Sequence, residues 1–156
     1  MPAFRLNHME LTLPFGTLEK DQDAICAFYS EVFGFEAIPL PVPVMETPGL
    51  VLRTDEHTSQ FLLLSEQEAC IKSPGLDHLG FIFDTRAEVD DVREQCAQWA
   101  KKDDRLEIKD YDDIVIGTST TRAFYVRYLL PIWFDVQTVE YEPGTEPADR
   151  WVYQRA

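Results

Sequence analysis

The sequence predicts an α+β fold made of two βαβββ repeats. A strand-like alternation of apolar and polar residues opens the chain, a helical stripe of apolar residues follows it, and three shorter strand-like segments come next. This order then starts again, with an offset of 70 residues between His8 and His78. One repeat alone would leave a face of its sheet uncovered. We therefore expect the repeats to pair into a curved, partly closed sheet around a cleft, with the helices outside.

The first repeat is expected over residues 1–73. Its opening strand covers residues 4–13, where alternation places His8 and Met9 on opposite faces. Three further strands are expected at residues 35–40, 50–53 and 60–64. The proline-rich residues 39–43 indicate an edge strand or a loop, because proline has no N–H to donate within a sheet.

Each repeat contains one helix with recognisable ends. In the first, Asp21 and Asp23 are expected to cap the start and Gly34 the end. In the second, Thr85 and Glu88 form a capping box ahead of the helix. The buried stripes are expected to be Ala24, Ile25, Phe28, Tyr29, Val32 and Phe33 in the first helix, and Val89, Val92, Cys96 and Trp99 in the second.

The second repeat is expected over residues 74–144. Its opening strand covers residues 76–83 and places His78 opposite Leu79 and the other apolar residues. The remaining strands are expected at residues 106–110, 122–129 and 132–141. The polar, glycine-containing residues 110–121 are expected to be mostly loop.

Composition favours one soluble domain and excludes several classes of partner. The 156 residues suit a single domain over residues 1–144, followed by a tail at 145–156 in which Trp151 and Tyr153 pack on the body or on a partner subunit. A net charge of −14 argues against nucleic-acid and anionic membrane partners. No secretory leader or membrane-spanning apolar run is evident, and three widely spaced cysteines predict no disulfide framework, so we expect a cytoplasmic protein.

Two histidines and a carboxylate are candidate metal ligands. His8 and His78 occupy matching strand positions and are expected to face the cleft, where imidazoles suit iron, manganese, zinc, nickel or copper. The alternative for each is an ordinary hydrogen-bonded histidine. The last strand offers Asp135 and Glu140 on opposite faces. We favour Asp135, because its neighbours Phe134 and Val136 suit the side that packs on a helix, and Glu140 remains the alternative.

Four segments carry a resemblance to a known family. They are Leu-Asn-His-Met at 6–9, Phe-Tyr-Ser-Glu-Val-Phe-Gly-Phe at 28–35, Asp-His-Leu-Gly-Phe at 77–81, and the stretch 124–136. Over residues 1 to about 144 the chain resembles the vicinal oxygen chelate superfamily, which includes glyoxalases, bleomycin resistance proteins and extradiol dioxygenases. The motifs point to this superfamily and not to one reaction within it.

The resemblance implies one divalent metal ion, with Fe(II) first and manganese, zinc or nickel as alternatives. Its ligands would be His8, His78 and Asp135, the last standing where most members carry glutamate. Glyoxalase I and related epimerases need a fourth ligand on the fourth strand. Residues 60–64 contain no acid, and Glu66 is expected to lie past the strand end, which argues against both.

The leading functional hypothesis is a mononuclear metalloenzyme, with extradiol-type dioxygenase first. Tyr125 and Asp135 match that group's spacing, with Tyr125 as a hydrogen-bond donor to substrate, and His57 is the candidate acid/base histidine. Trp133 and Phe61 either wall the pocket or are core residues. The alternatives are a metal-free drug-binding protein, a lyase, or a fosfomycin-type thiol transferase. The transferase ranks lower because the basic residues considered near Asp135 are only Arg122 and Arg127. A small-molecule substrate and a homodimer are expected.

Overall fold

Two helices and nine strands make up the described part of the chain. The structure is a computed structural model that describes residues 6–41 and 46–148, so the expectations for Trp151 and Tyr153 lie outside it. The elements are β1 (His8–Leu13), α1 (Thr17–Phe33), β2 (Glu36–Leu40), β3 (Gly49–Arg53), β4 (Phe61–Glu66), β5 (His78–Ile82), α2 (Arg86–Ala100), β6 (Glu107–Asp110), β7 (Ile114–Ile116), β8 (Ser119–Arg127) and β9 (Trp133–Tyr141). Within the described ranges, neither helix has the length and apolar character to span a bilayer.

The strand pairing confirms the repeated βαβββ topology. The first sheet has the order β1-β4-β3-β2, and β1 runs parallel to β4. The second has the order β5-β9-β8-β6, with β5 parallel to β9 and with β7 also paired to β8. Pro39 lies in β2 at the outer edge of the first sheet, where a missing N–H is tolerated, as expected. The two sheets remain separate rather than closing into a barrel.

Helix α1 begins a turn earlier than the acidic residues predicted. Its first residue is Thr17 and its N-cap is Gly16, which has a φ of 82° and offers no side-chain cap. The free N–H groups are satisfied from another strand. Glu66 is only 4% exposed, and its carboxylate accepts hydrogen bonds from the N–H of Gly16 at 3.1 Å and of Leu18 at 2.6 Å. Asp21 is therefore not the cap, and it pairs with Arg105 at 2.8 Å.

The segment expected to be mostly loop instead forms a hairpin. Residues Ile114–Ile116 are strand β7, which pairs antiparallel with Ser119–Thr121 at the start of β8. Gly117 takes the positive φ of 59° that the turn requires. The sequence signal was weak because the strand is only three residues long and all three are apolar, so that no alternation of apolar and polar residues marks it.

A single core joins the two repeats on the helix side of both sheets. Phe28 of α1 contacts Trp99 of α2 and Tyr128 of the second repeat, with ring centroids 5.5 and 4.7 Å apart. Tyr29 lies against Phe134 of β9 and donates a hydrogen bond to the carbonyl of Tyr128 at 3.1 Å. The sheet faces that carry His8 and His78 are the opposite faces. The helices thus pack on the sheet faces opposite to those that were expected to form the cleft.

The buried cap of α1 predicts a specific stability effect. Glu66→Ala leaves two helix N–H groups without an acceptor, so we expect it to lower the free energy of unfolding by about 1–3 kcal/mol. Glu66→Gln, which keeps one acceptor oxygen, is expected to lose less. Urea denaturation followed by circular dichroism measures both, with the exposed neighbour Glu68→Ala as the control. Equal stability of Glu66→Ala and Glu68→Ala would show that the cap contributes nothing.

Candidate metal centre

His78 and Asp135 are brought together on one face of the second sheet. Asp135 of β9 lies opposite Gly80 of β5, two residues from His78 on the same strand face. The His78 Nε2 atom and the Asp135 Oδ2 atom are 3.8 Å apart. A Cβ atom built on Gly80 would meet only Gln137 Nε2, at 3.6 Å, so the space above Asp135 is open on that side. Two of the three predicted ligands, His78 and Asp135, are thus adjacent, and this pair is called the half-site below.

One carboxylate oxygen of Asp135 is buried without a hydrogen-bond partner. Asp135 is 7% exposed, and its Oδ1 atom has no partner among the described residues. Burial raises the pKa of Asp135 above its ordinary value, and the nearby His78 and Tyr125 act against that shift. A buried carboxylate is costly unless it is hydrogen-bonded, paired with a charge, protonated or bound to a cation. The residues present therefore fit a divalent metal ion.

The imidazole of His78 is held in an orientation suited to ligation. Its Nδ1 atom lies 2.7 Å from the carbonyl oxygen of Leu76, which can only accept, so the proton is on Nδ1. This leaves Nε2, the atom nearest Asp135, with a free lone pair. A backbone carbonyl on the second nitrogen is the usual support for a metal-binding histidine.

His8 has the same kind of support on the first sheet. Its Nδ1 atom lies 2.8 Å from Asn7 Oδ1, and the Asn7 amide donates to the carbonyl of Ser59 at 2.8 Å, which fixes the amide orientation. The ring of Phe61 stacks on His8 with centroids 4.7 Å apart and an interplanar angle of 13°. These contacts orient the exposed His8 ring and leave Nε2 as the nitrogen that does not contact Asn7. Phe61 positions His8 rather than only filling the core.

Within one chain, the structure does not bring His8 together with the other two residues. Over residues 6–41 and 46–148, no group of three or more histidine, cysteine, aspartate or glutamate side chains could hold one metal ion. His8 lies on β1 and His78 on β5, which are edge strands of different sheets and are not paired. The three-ligand set remains a prediction that a single copy of the chain does not complete.

The alternative carboxylates are engaged elsewhere. Glu140 accepts hydrogen bonds from Arg86 at 2.7 and 3.0 Å, on the face of β9 opposite Asp135. Glu66 lies within β4, not past its end as expected, because the strand runs to that residue. Its side chain faces α1, whereas the residues of β4 on the His8 face are Phe61, Leu63 and Ser65. The fourth strand thus offers no acid to a metal at His8.

Tyr125 stands beside the half-site. It pairs with Asp135 across β8 and β9, and its ring meets that of His78 edge-on, with centroids 5.0 Å apart. Desolvation raises the pKa of Tyr125, and the charges of Asp135 and Tyr111 raise it further, so the hydroxyl keeps its proton. Tyr111 in turn packs on Tyr125 at 5.1 Å. The predicted donor is therefore adjacent to the candidate ligands.

Lys109 is a residue aligned with the candidate ligands that the sequence did not single out. The strand registers place Gly80, Asp135, Tyr125 and Lys109 in one row across the second sheet. Among the described residues, the Lys109 ammonium group has no ion-pair or hydrogen-bond partner. In the sequence, the alternation of Lys109 with the apolar Ile108 indicates which strand face Lys109 occupies. Only the pairing of β6 with β8 aligns Lys109 with Tyr125.

The basic residues considered from sequence are already paired. Arg122 lies on the helix side and binds Asp90 of α2 at 3.0 Å. Arg127 binds Glu107 at 2.8 Å and lies over the ring of Trp133, 4.5 Å from its centroid. Trp133 is 7% exposed and donates to the carbonyl of Gly75 at 3.1 Å, so it is a packed residue beneath the face rather than an open pocket wall.

His57, the candidate acid/base residue, lies on an exposed turn of the first sheet. Its ring nitrogen is 3.7 Å from Glu56, and its N–H donates to Asp55 at 2.9 Å. The same turn contains Ser59, whose carbonyl binds Asn7 beside His8. His57 is thus on the His8 side of the fold, and within one chain it belongs to a different sheet from Asp135.

Comparisons with known proteins agree with this architecture. The family model of the Glyoxalase/Bleomycin resistance protein/Dioxygenase superfamily matches residues 5–103. No curated protein matches the sequence. The fold is shared with a glyoxalase family protein from Bacillus anthracis, at 16% identity and a TM-score of 0.61, covering 90% of this chain and 98% of that one.

Two further solved structures have the same fold. The fosfomycin resistance protein FosX from Listeria monocytogenes, in a complex with Mn(II) and sulfate, has 17% identity and a TM-score of 0.61, with 88% of this chain and 91% of that chain covered. A virulence protein from Salmonella typhimurium has 21% identity and a TM-score of 0.56, with 88% and 98% covered. At these identities the likeness shows the fold alone. The family model, which matches residues 5–103, shows that the chain belongs to the Glyoxalase/Bleomycin resistance protein/Dioxygenase superfamily.

Proposed function

We propose that this protein is a mononuclear divalent-metal enzyme that acts on a small substrate with two adjacent oxygens. One observation carries the proposal: Asp135 Oδ1 is buried without a partner while Oδ2 lies 3.8 Å from His78 Nε2. A folded protein keeps such a carboxylate when it serves a function. A metal-free binding protein would have no use for this pair, so the metal-free alternative ranks lower.

The third ligand is His8 of the partner subunit. The shared aromatic core fixes the two repeats of one chain with both histidine faces turned away from their helices. The chain therefore cannot close its own two halves onto one ion without breaking that core. Two copies related by a twofold axis can place the His8 face of each against the His78 face of the other, which gives two equal sites.

The ligand set suits several divalent ions. Two imidazoles and one carboxylate favour Fe(II), Mn(II), Zn(II) or Ni(II) over Ca(II) or Mg(II), which prefer oxygen. When bound, the ion would polarise the substrate oxygens and stabilise negative charge that develops on them. Asp135 is shorter than the glutamate usual at this position, which draws the site toward β9.

The chain's own residues would orient the substrate. The Tyr125 hydroxyl, which keeps its proton, donates a hydrogen bond to a substrate oxygen above Asp135. Lys109, in the same row, offers an ammonium group to an anionic substituent farther along the face. Tyr111 packs on Tyr125 and restricts its motion. This arrangement favours a small anionic substrate.

Extradiol-type ring cleavage is the first specific reaction to test. It needs a residue that takes a proton from a substrate hydroxyl, and His57 is the candidate. The turn that carries His57 is tied to Asn7 next to His8 through the Ser59 carbonyl. In the proposed shared site, His8 and His57 would therefore both come from the same, partner subunit.

A second candidate reaction is favoured by Lys109. Addition of a thiol co-substrate to a small anionic substrate, as a fosfomycin-type thiol transferase performs it, would use a cation near the metal to hold the anion. From sequence this reaction was ranked lower because no basic cluster was evident near Asp135, where a further cation besides Arg122 and Arg127 was lacking. Lys109 supplies one, whereas Arg122 and Arg127 are engaged.

The first prediction concerns the identity of the carboxylate ligand. Asp135→Ala is expected to weaken Mn(II) binding by at least about 100-fold, because even groups that only support a ligand contribute 10–100-fold. Glu140→Ala, on the opposite face of the same strand, is expected to leave binding unchanged. Titration calorimetry and metal analysis of protein purified without chelators measure both. Loss of Mn(II) binding in Glu140→Ala but not in Asp135→Ala would show that the ligand is Glu140, on the opposite face of β9.

The second prediction tests whether two copies share each site. His8→Ala and Asp135→Ala homodimers are each expected to lose metal binding. After the two are unfolded together and refolded, about a quarter of the wild-type sites should return, since random pairing makes half of the dimers mixed and each mixed dimer has one intact site. The control mixes His78→Ala with Asp135→Ala, whose defects lie in the same half-site and should restore none. Recovery in the control, or none in the first mixture, would contradict a shared site.

The third prediction separates the two reactions. Under the first, protein loaded anaerobically with Fe(II) consumes O₂ with catechols, and His57→Ala lowers kcat by about 100-fold or more while Lys109→Met has a small effect on kcat. Under the second, Mn(II)-loaded protein adds a supplied thiol to fosfomycin, and Lys109→Met raises the KM for fosfomycin by about tenfold while His57→Ala is neutral. Activity of neither kind in metal-loaded dimer would exclude both substrates.

A further inference from the structure

Gly80 lies inside β5, directly opposite Asp135 in the register of β5 and β9. Glycine inside a strand is unfavourable, because it packs nothing and loses more conformational freedom on folding than other residues. A positive φ or a neighbour that leaves no room for a Cβ atom would explain it. Gly80 is not among the glycines of positive φ, and a Cβ atom there would make only an ordinary contact at 3.6 Å. The remaining use for Gly80 is the open space that it leaves beside Asp135, into which a ligand can approach closely.

The side chain of Gln137 borders this open space. The strand register places Gln137 opposite Ile82, in the row next to that of Asp135 and Gly80. Its amide nitrogen is nevertheless the atom 3.6 Å from the position of a Cβ on Gly80, so the side chain leans back toward the row of Asp135. Gln137 is half-buried rather than extended into solvent. The amide group therefore lies next to the candidate ligand.

The amide of Gln137 has no structural role in hydrogen bonding. Within residues 6–41 and 46–148 its side chain has no hydrogen-bond partner. The neighbours in its own row, Ile82 and Ala123, are apolar and cannot supply one. It does not satisfy Asp135 either, whose Oδ1 atom is buried without a partner. The two donor hydrogens of the amide are thus available to a ligand.

Asp135 has a hydrogen-bonding group on each side. The Tyr125 side chain lies toward β8, and the Gln137 amide lies toward β5. The charged residues nearest to Tyr125 along this face do not compete for the same ligand, because Arg127 pairs with Glu107 at 2.8 Å. Two hydrogen-bonding groups on opposite sides of one candidate ligand suit a substrate with two adjacent oxygens.

We infer that Gln137 binds one of the two adjacent substrate oxygens through its amide, and that the absent side chain at Gly80 admits the substrate to that position. The inference deepens the function proposed above and rests on it, because it makes Gln137 a specificity-determining residue of the same site. It also narrows the substrate class to molecules that are thin on the side facing β5, such as a planar ring diol. A bulkier substituent on that side would meet the Gln137 side chain.

The first experiment removes the amide and keeps the length of the side chain. The probe is 4-nitrocatechol, a planar ring diol whose visible absorbance changes when its hydroxyls lose protons. Titration into Mn(II)-loaded protein under nitrogen gives the Kd of the probe, and calorimetry gives the Mn(II) affinity of each variant. We expect Gln137→Met to weaken 4-nitrocatechol binding by about tenfold or more, with less than about a twofold change in Mn(II) affinity. The control is Thr121→Val, a half-buried polar residue farther along the same face, which should change neither value.

The second experiment fills the open space at Gly80. Alanine suits a strand better than glycine and would meet no atom closer than 3.6 Å, so we expect Gly80→Ala to unfold at the same or a higher temperature. Its methyl group occupies the approach to Asp135, so 4-nitrocatechol should bind about tenfold more weakly while Mn(II) affinity is unchanged. A glycine needed only for folding would give the opposite pattern, with lower stability and unchanged probe binding.

The outcomes separate this inference from the proposed function. Unchanged 4-nitrocatechol affinity in both variants would overturn the inference and leave the metal site intact. Weaker binding in Gly80→Ala alone, or an equal loss in Thr121→Val, would overturn the role of Gln137. Mn(II)-loaded wild-type protein that does not bind 4-nitrocatechol would overturn the substrate class together with the inference. Wild-type protein that binds no Mn(II) would overturn the proposed function itself.

Discussion

The aromatic core between the two repeats is the constraint on which the rest of the structure depends. Phe28, Tyr29 and Tyr128 bind α1, α2 and the inner faces of both sheets into one hydrophobic cluster. Buried rings of this size carry a large share of folding free energy, so the relative orientation of the repeats is fixed. Because the helices use one face of each sheet, the faces with His8 and His78 are left open to solvent or to a second copy.

The candidate site follows from that orientation. A buried carboxylate oxygen without a partner is unfavourable in the isolated chain, yet its neighbours hold it in place: His78 beside Oδ2 and Tyr125 across the strand pair. The supporting hydrogen bonds to Leu76 and Asn7 orient both imidazoles before any ion binds. If two copies complete the proposed site, metal binding and association of subunits would be coupled.

Some charged side chains near the candidate ligands stabilise the fold, whereas others have no such structural role. Glu66 accepts hydrogen bonds from the free N–H groups of α1, and Glu140 pairs with Arg86, so the two alternative carboxylates considered for the metal are engaged elsewhere. Lys109 is the reverse case, because its ammonium group has no partner among residues 6–41 and 46–148, although the chain is rich in carboxylates. In the proposed function, this row of the second sheet is where an anionic substrate would bind.

The sequence by itself determined the repeated βαβββ order, the strand faces of His8, His78 and Asp135, and the capping box at Thr85. These features could be predicted because alternation and helix capping depend only on residues close together in the chain. Other features depend on residues far apart in the chain. The cap of α1 comes from Glu66, the alignment of Lys109 with Tyr125 comes from the β6–β8 register, and β7 forms only because β8 is beside it. Above all, tertiary packing decided that His8 and His78 do not join in one chain, since matching positions in two repeats fix the face of each histidine but not the orientation of one repeat against the other.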